Sequence, residues 1–204
     1  MELLQRLEIQ RRLSLTGTGA LYIDPLLDSG QIGEVTIDLR LGCDFLVSIL
    51  TRRPFFSTME DKDGFRGIGS YFRTTRREFG DGFVLYPNQV ALACTLEYIA
   101  LPRDVYADVL TRSSYTRLGV HMNTMVQPGF RGCFPLELFN GSNNPVELVV
   151  GSRILQTRLF GTSQESDYDA GAEPRKYVGN VRPVPSRASD DADLGLLRRI
   201  QERR

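Results

Sequence analysis

The stretch "FVLYPNQVALACTLEYIALPRDVYADVLT", Phe83 to Thr111, decides the fold. Three apolar runs, "FVLYP", "VALACTLEYIALP" and "YADVLT", are separated by "PNQ" and "PRD", where proline and asparagine favour turns. Valine, leucine, tyrosine and threonine fill the runs, as a pleated, half-buried surface prefers. The pattern repeats downstream in "CFPLELFN", "VELVV" and "RILQTRLF", separated by "QPGFRG", "NGSNNP" and "GS". Short strands at close spacing with Gly, Pro and Asn turns predict an antiparallel sandwich or barrel.

Working upstream, "EVTIDLRLG" alternates in the same way. It places Val35, Ile37, Leu39 and Leu41 on one face and Thr36, Asp38 and Arg40 on the other, and "CDFLVSIL" continues as strand. Residues 51–82 interleave arginine, aromatic, acidic and glycine residues; they read as a solvated loop or hairpin partly covering the barrel. At the N-terminus, Leu3, Leu4, Leu7 and Leu13 predict a short amphipathic helix over residues 2–13. After Phe160 the chain is polar and reads as an extended tail, with a short helix in "DADLGLLRRIQERR". The expected organisation is one β domain over residues 1–185, with 51–82 as an insert, and a C-terminal tail over 186–204.

A length of 204 residues and a 41% hydrophobic fraction suffice for one packed core. The formal net charge of zero argues against a dedicated nucleic-acid or membrane binder. No apolar run is long enough to span a membrane, and the charged N-terminus lacks a signal-peptide core, so a cytoplasmic location is expected. Cys43, Cys94 and Cys133 are isolated and suit small buried side chains better than a disulfide framework or metal site. His121 is the sole histidine, which excludes a histidine-rich metal centre.

The usual nucleotide signatures are missing: there is no Gly-x-x-x-x-Gly-Lys-Ser/Thr loop and no Gly-x-Gly-x-x-Gly before a helix. A phosphate site must then come from strand ends and loops. "TRSSYTRLGV", Thr111 to Val120, concentrates suitable donors: Arg112 and Arg117 offer forked, charge-assisted hydrogen bonds, and Ser113 and Ser114 offer hydroxyls. Such a cluster also suits a plain surface turn. Glu137 stands between Leu136 and Leu138 in a core-like strand. It either faces solvent by alternation or sits in a pocket, where its proton affinity would rise and suit it to proton transfer.

Together "EVTIDLRLG", "LYPNQVALACTLEYIALPRDVYADVLTRSSYTRLGV", "QPGFRGCFPLELFN", "GSRILQTRLF" and "RKYVGN" resemble, in order, the dCTP deaminases of the dCTP deaminase/dUTPase superfamily. The resemblance covers residues 32–50 and 83–185. It implies a mainly β fold, a distorted antiparallel barrel or jelly-roll of the dUTPase-like type with short flanking helices. It also implies a homotrimer whose sites draw on adjacent subunits. Its implied reaction is hydrolytic deamination of a pyrimidine deoxynucleoside triphosphate, dCTP to dUTP and ammonia.

Carried over residue by residue, Glu137 would activate water at cytosine C4, and Ser113 and Arg117 would orient that water and polarise the centre. Arg112 and Ser114 would hold phosphate, supported by Gln156, Lys176 and Tyr177. Mg2+ would arrive with the triphosphate. The zinc deaminase strings His-x-Glu and Pro-Cys-x-x-Cys do not occur, so no zinc is expected at the reacting carbon.

The chain departs from the family at three points. Gln127 replaces the aspartate that contacts the sugar; it still forms hydrogen bonds but cannot act as a base. The segment "VHMNTMVQ" is shorter than the family's loop, and Asn180 stands where glutamine is common. His121 lies in that altered loop, where it suits either a ligand contact or a packed or surface imidazole. Two alternatives accompany the deaminase expectation: a bifunctional enzyme that also cleaves pyrophosphate from dUTP, and a non-catalytic nucleotide-binding barrel.

Overall fold

The computed structural model describes residues 1–50, 55–58, 67–166 and 176–202. In chain order, the elements begin with β1 (Glu2–Leu3), α1 (Arg6–Leu13), β2 (Tyr22–Asp24), β3 (Ile37–Arg40), β4 (Asp44–Ser48) and β5 (Phe72–Arg76). Then come β6 (Gly82–Leu85), β7 (Val90–Ala100), β8 (Val105–Thr111), α2 (Ser113–Thr116), β9 (Val120–His121) and β10 (Asn123–Val126). The series closes with β11 (Arg131–Asn140), β12 (Val146–Val149), β13 (Arg153–Gly161) and α3 (Ala192–Glu202).

The strands form three antiparallel sheets. One runs β1-β13-β8-β10 with β3 also paired to β13, one runs β5-β4-β7-β11-β9 with β2 also paired to β7, and the third pairs β12 with β6. Their inner faces share a core that includes Leu39, Phe45, Leu85, Phe134, Leu138, Leu148 and Ile154, all fully buried. Each such side chain contributes about 1.5–3 kcal/mol by leaving water. Phe45 of β4 stacks on Phe83 of β6 with ring centroids 3.9 Å apart, tying the second and third sheets together. The expected mainly β, dUTPase-like architecture with short flanking helices is the one observed. Among the described residues, no helix is long and apolar enough to cross a membrane.

All six strands expected from Phe83 onward are present, within about two residues at their ends. Three expectations need correction. The N-terminal helix starts only at Arg6, because Leu3 pairs with Phe160 and the Leu4 N–H bonds to the Leu159 carbonyl at 2.8 Å. Leu4 and Ile9 are the buried anchors, while Leu7 is 81% exposed. Val35 also leaves the expected buried face: the Gly33 N–H bonds to the Thr36 carbonyl at 2.8 Å, and this turn delays the strand until Ile37.

The third correction concerns residues 51–82. Residues 51–54 and 59–66 lie outside the described residues. Of the rest, Phe72–Arg76 is an edge strand paired along β4, so the hairpin part of the expectation holds and the loop part is too loose. Cys94 and Cys133 are buried and Cys43 half-buried, as small core-like side chains should be.

Candidate active site

The "TRSSYTRLGV" stretch is more structured than a turn. The Arg112 N–H bonds to the Ile154 carbonyl at 2.9 Å, fixing the end of β8 to β13. The chain then winds into α2, with Thr116 and Arg117 N–H groups bonding back to the Arg112 and Ser113 carbonyls at 3.1 and 3.0 Å. Gly119 ends it at φ +88°, and a Cβ there would lie 2.5 Å from the Ser142 side chain. Only glycine accommodates both the left-handed backbone and that approach.

Ser113, Thr116 and Arg117 line an open cleft of about 690 Å³ together with His121, Asn123 and Gln156. Three expected residues, Ser113, Arg117 and Gln156, thus converge here, although β13 and α2 lie some forty positions apart in sequence. His121 is exposed and lines this cleft, so it is not a packed imidazole. Arg112 directly precedes the cleft residues: its Nη1 donates to the Arg153 carbonyl at 3.1 Å and its Nε lies 3.6 Å from Asp38 Oδ2.

Glu137 occupies a second cleft, of about 210 Å³, between β7, β11 and the tail. Leu92, Ala93, Pro135 and Leu136 supply its apolar wall, and Tyr177, Asn180 and Arg182 supply the polar side. The strand alternation turns Glu137 outward, and its surface is exposed. The cleft walls nevertheless strip its carboxyl of part of its hydration and raise its pKa above the ordinary carboxylate value, offset only in part by its own backbone N–H. Both sequence readings of Glu137 are therefore half right: it faces outward, but into a concavity.

The tail builds this second cleft by docking on β11. Gly179 N–H bonds to the Arg131 carbonyl at 2.7 Å, Cys133 N–H to the Asn180 carbonyl at 3.0 Å, and the Cys94 thiol to the Val181 carbonyl at 3.6 Å. Gly132 permits the approach, since a Cβ on it would meet the Asn180 carbonyl oxygen at 2.6 Å. Arg187 N–H donates to the Tyr177 hydroxyl at 3.1 Å, holding that ring beside Glu137.

The structure leaves four expected residues outside both clefts, Arg112 at their edge and three others. Lys176 forms a tight ion pair with Asp191, which raises its pKa. Ser114 is an exposed residue of α2, and Gln127 is half-buried at the turn into Phe130. Within one chain, Glu137 does not share a cleft with Ser113 or Arg117. Thr116, Asn123 and Arg182 were not singled out from sequence; nothing in a lone Thr, Asn or Arg marks it before the fold places it.

One antiparallel β chain thus carries a donor-rich cleft and, apart from it, a carboxylate cleft. Residues 3–162 match the model of the dCTP deaminase-like family. Among curated proteins, "dCTP deaminase, dUMP-forming" of Methanobrevibacter smithii is 36% identical over 86% of this chain and 91% of its own length. The protein of that name from Methanothermobacter thermautotrophicus is 37% identical over 86% and 90%. "dCTP deaminase" of Haloarcula marismortui is 33% identical over 92% and 95%. The crystal structure of 2'-deoxycytidine 5'-triphosphate deaminase from Agrobacterium tumefaciens has a similar fold, with TM-score 0.57 and 23% identity, over 77% of this chain and 47% of that one.

This chain belongs to the dCTP deaminase-like family, and it is an enzyme of the hydrolase class.

Proposed function

We propose that the chain removes the 4-amino group of dCTP by hydrolysis, releasing ammonia. The reading is carried by one observation: a strand carboxylate with raised proton affinity, Glu137, in a half-apolar cleft of a dCTP deaminase-like chain. Glu137 takes a proton as water oxygen attacks C4, then delivers it to the amine nitrogen, and the C4–N bond breaks to free ammonia. Ser113 and Arg117 orient the water and stabilise charge at the reacting centre. Arg112, Ser114 and Gln156 receive phosphate oxygens. Tyr177 closes the cleft, Gln127 contacts the sugar, and Lys176 joins the phosphate once it leaves Asp191. Mg2+ enters as part of the substrate, and the donors of the Arg117 cleft suit the anionic oxygens it leaves free.

Because Glu137 and Arg117 line different clefts of one chain, a complete site joins Glu137 of one copy to Ser113 and Arg117 of the next. A closed homotrimer supplies three such junctions. Exposed Leu118 and Phe139, beside the two clefts, are apolar surface for that contact. The reaction is placed in the cytoplasm.

Against the expectation that the reaction stops at dUTP, two relatives at 36–37% identity carry the name dUMP-forming, while that of Haloarcula marismortui is named dCTP deaminase alone. We therefore take dUMP as the nucleotide product, with pyrophosphate released alongside ammonia. Gln127 brings no charge to that second step, so its base must come from elsewhere in the joined site. No observation favours the non-catalytic reading.

The test is purified protein with dCTP and Mg2+, assayed together for ammonia, pyrophosphate and the nucleotide formed. Ammonia from the parent chain and its loss in Glu137→Gln, with dCTP binding kept, support the reading. Full turnover by Glu137→Gln overturns it.

A further inference from the structure

Two of the residues placed against phosphate are held by a third that carries no role in the reaction so far. Asp38 lies on β3 opposite Gln156 of β13, its side chain only 13% exposed. One carboxylate oxygen, Oδ1, accepts from Gln156 Nε2 at 3.4 Å, and the other, Oδ2, lies 3.6 Å from Arg112 Nε. Its backbone is fixed too, since Gln31 Nε2 donates to the Asp38 carbonyl at 3.0 Å.

An unrestrained arginine loses rotamer freedom when a ligand immobilises it, and a planar fork that is already oriented loses less. Asp38 and the Arg153 carbonyl engage Arg112 at Nε and Nη1, leaving Nη2 without a hydrogen-bond partner among the described residues. The same carboxylate occupies one N–H of the Gln156 amide and so fixes which way that group turns in the Arg117 cleft.

We propose that Asp38 is a positioning residue for the triphosphate, holding the Arg112 guanidinium and the Gln156 amide in the orientation that receives phosphate oxygens. The inference rests on the reading of this region as the phosphate site. It carries a sign that separates it from simple electrostatics. Removing a carboxylate near an anion site strengthens anion binding if charge alone matters, and weakens it if orientation matters.

The experiment titrates the full-length parent, Asp38→Asn and Asp38→Glu with magnesium tripolyphosphate by calorimetry, and measures dCTP kinetics on the same proteins. Asp38→Asn is expected to weaken tripolyphosphate binding and raise KM for dCTP by about tenfold, with kcat within about twofold. Asp38→Glu, which keeps the charge, regains part of the loss. Unchanged or tighter tripolyphosphate binding by Asp38→Asn overturns the proposal, as does failure of the parent to bind that probe. A fall in kcat with KM unchanged overturns it equally. Should Asp38→Asn fail to fold, the Asp38→Glu titration decides: weakening of a few-fold supports the proposal, and parental affinity ends it. A parent that binds tripolyphosphate but releases no ammonia from dCTP fails the deaminase reading alone, and calorimetry still judges Asp38.

Discussion

Glu137 and Tyr177 line one cleft, brought together because residues 177–181 dock along β11, while Arg117 lines another cleft on the same chain. A tail that folds back supplies the polar wall next to the carboxylate. The tail brings Arg182 to that wall, while the Arg117 guanidinium stands at the end of α2 in the other cleft. The proposed chemistry therefore joins its two halves across a junction between copies.

That arrangement predicts complementation. Glu137→Gln and Arg117→Ala should each be inactive alone. Co-refolded in equal amounts, they should regain about a quarter of parental activity, because a random ring joins an intact Glu137 to an intact Arg117 at one junction in four. Ammonia release from the mixture, against each variant alone, is the measurement; a mixture as dead as its components would show the site lies within one chain.

The raised proton affinity of Glu137 fixes two signs. As a base it works only when ionised, so kcat/KM should fall with acid at a pH above the ordinary carboxylate value of 4.5. For stability, a carboxyl whose folded pKa exceeds its unfolded one contributes below the unfolded value, and that contribution is lost as pH rises through the folded value. At neutral pH the ionised group is thus a cost, and Glu137→Gln should melt no lower than the parent while losing turnover. Paired thermal melts and pH–rate profiles test both signs.

Most of the sheet was legible because Ile37, Leu39 and Leu41 alternate with polar residues and the apolar runs after Phe83 are bounded by Pro, Gly and Asn turns, and both signals are local. Leu7 misled because helical spacing says that a stripe exists, not that something covers it. The grouping of Ser113, Arg117 and Gln156 was foreseeable only through resemblance, since β13 reaches α2 by strand pairing that no local pattern encodes. The docking of residues 177–181 on β11 depends on the bare backbone at Gly132, one glycine among 19. Nothing in its neighbours marks it.

Away from the site, Arg12 and Asp104 form a two-point pair, Nη1–Oδ1 at 2.8 Å and Nη2–Oδ2 at 2.7 Å, which fastens α1 to the start of β8. Arg12 also bonds Glu8. The guanidinium holds the Asp104 carboxyl below its usual range, and Arg11 and Arg12 hold Glu8 at about 2. Carboxyls lowered by folding give stability above their unfolded values that is lost as pH falls through the folded ones. Asp104→Asn should cost about 1.5–3 kcal/mol at neutral pH and make melting less steeply dependent on pH in the window below about 3.8. Melting temperatures of both proteins across that window check it; parallel curves would remove the pair from the account.

Gly132 offers the sharpest separation of fold from function. Its φ of +140° is one that L side chains rarely adopt, and a methyl group there would stand 2.6 Å from the Asn180 carbonyl oxygen, well inside contact distance. The core behind it, with Phe134 and Leu136 fully buried, is held by the pairing of β11 with β7, and the tail adds Val178 at its edge. In Gly132→Ala the Cys133–Asn180 and Gly179–Arg131 hydrogen bonds should therefore break first, lifting Tyr177 and Asn180 from the Glu137 cleft. The expected result is a chain that still unfolds cooperatively but is cut rapidly by protease between residues 176 and 187 and has lost most of its turnover. Limited proteolysis with mass mapping, run beside the ammonia assay, distinguishes the outcomes. A variant with a protected tail and parental activity would mean that the glycine is not what lets the tail dock.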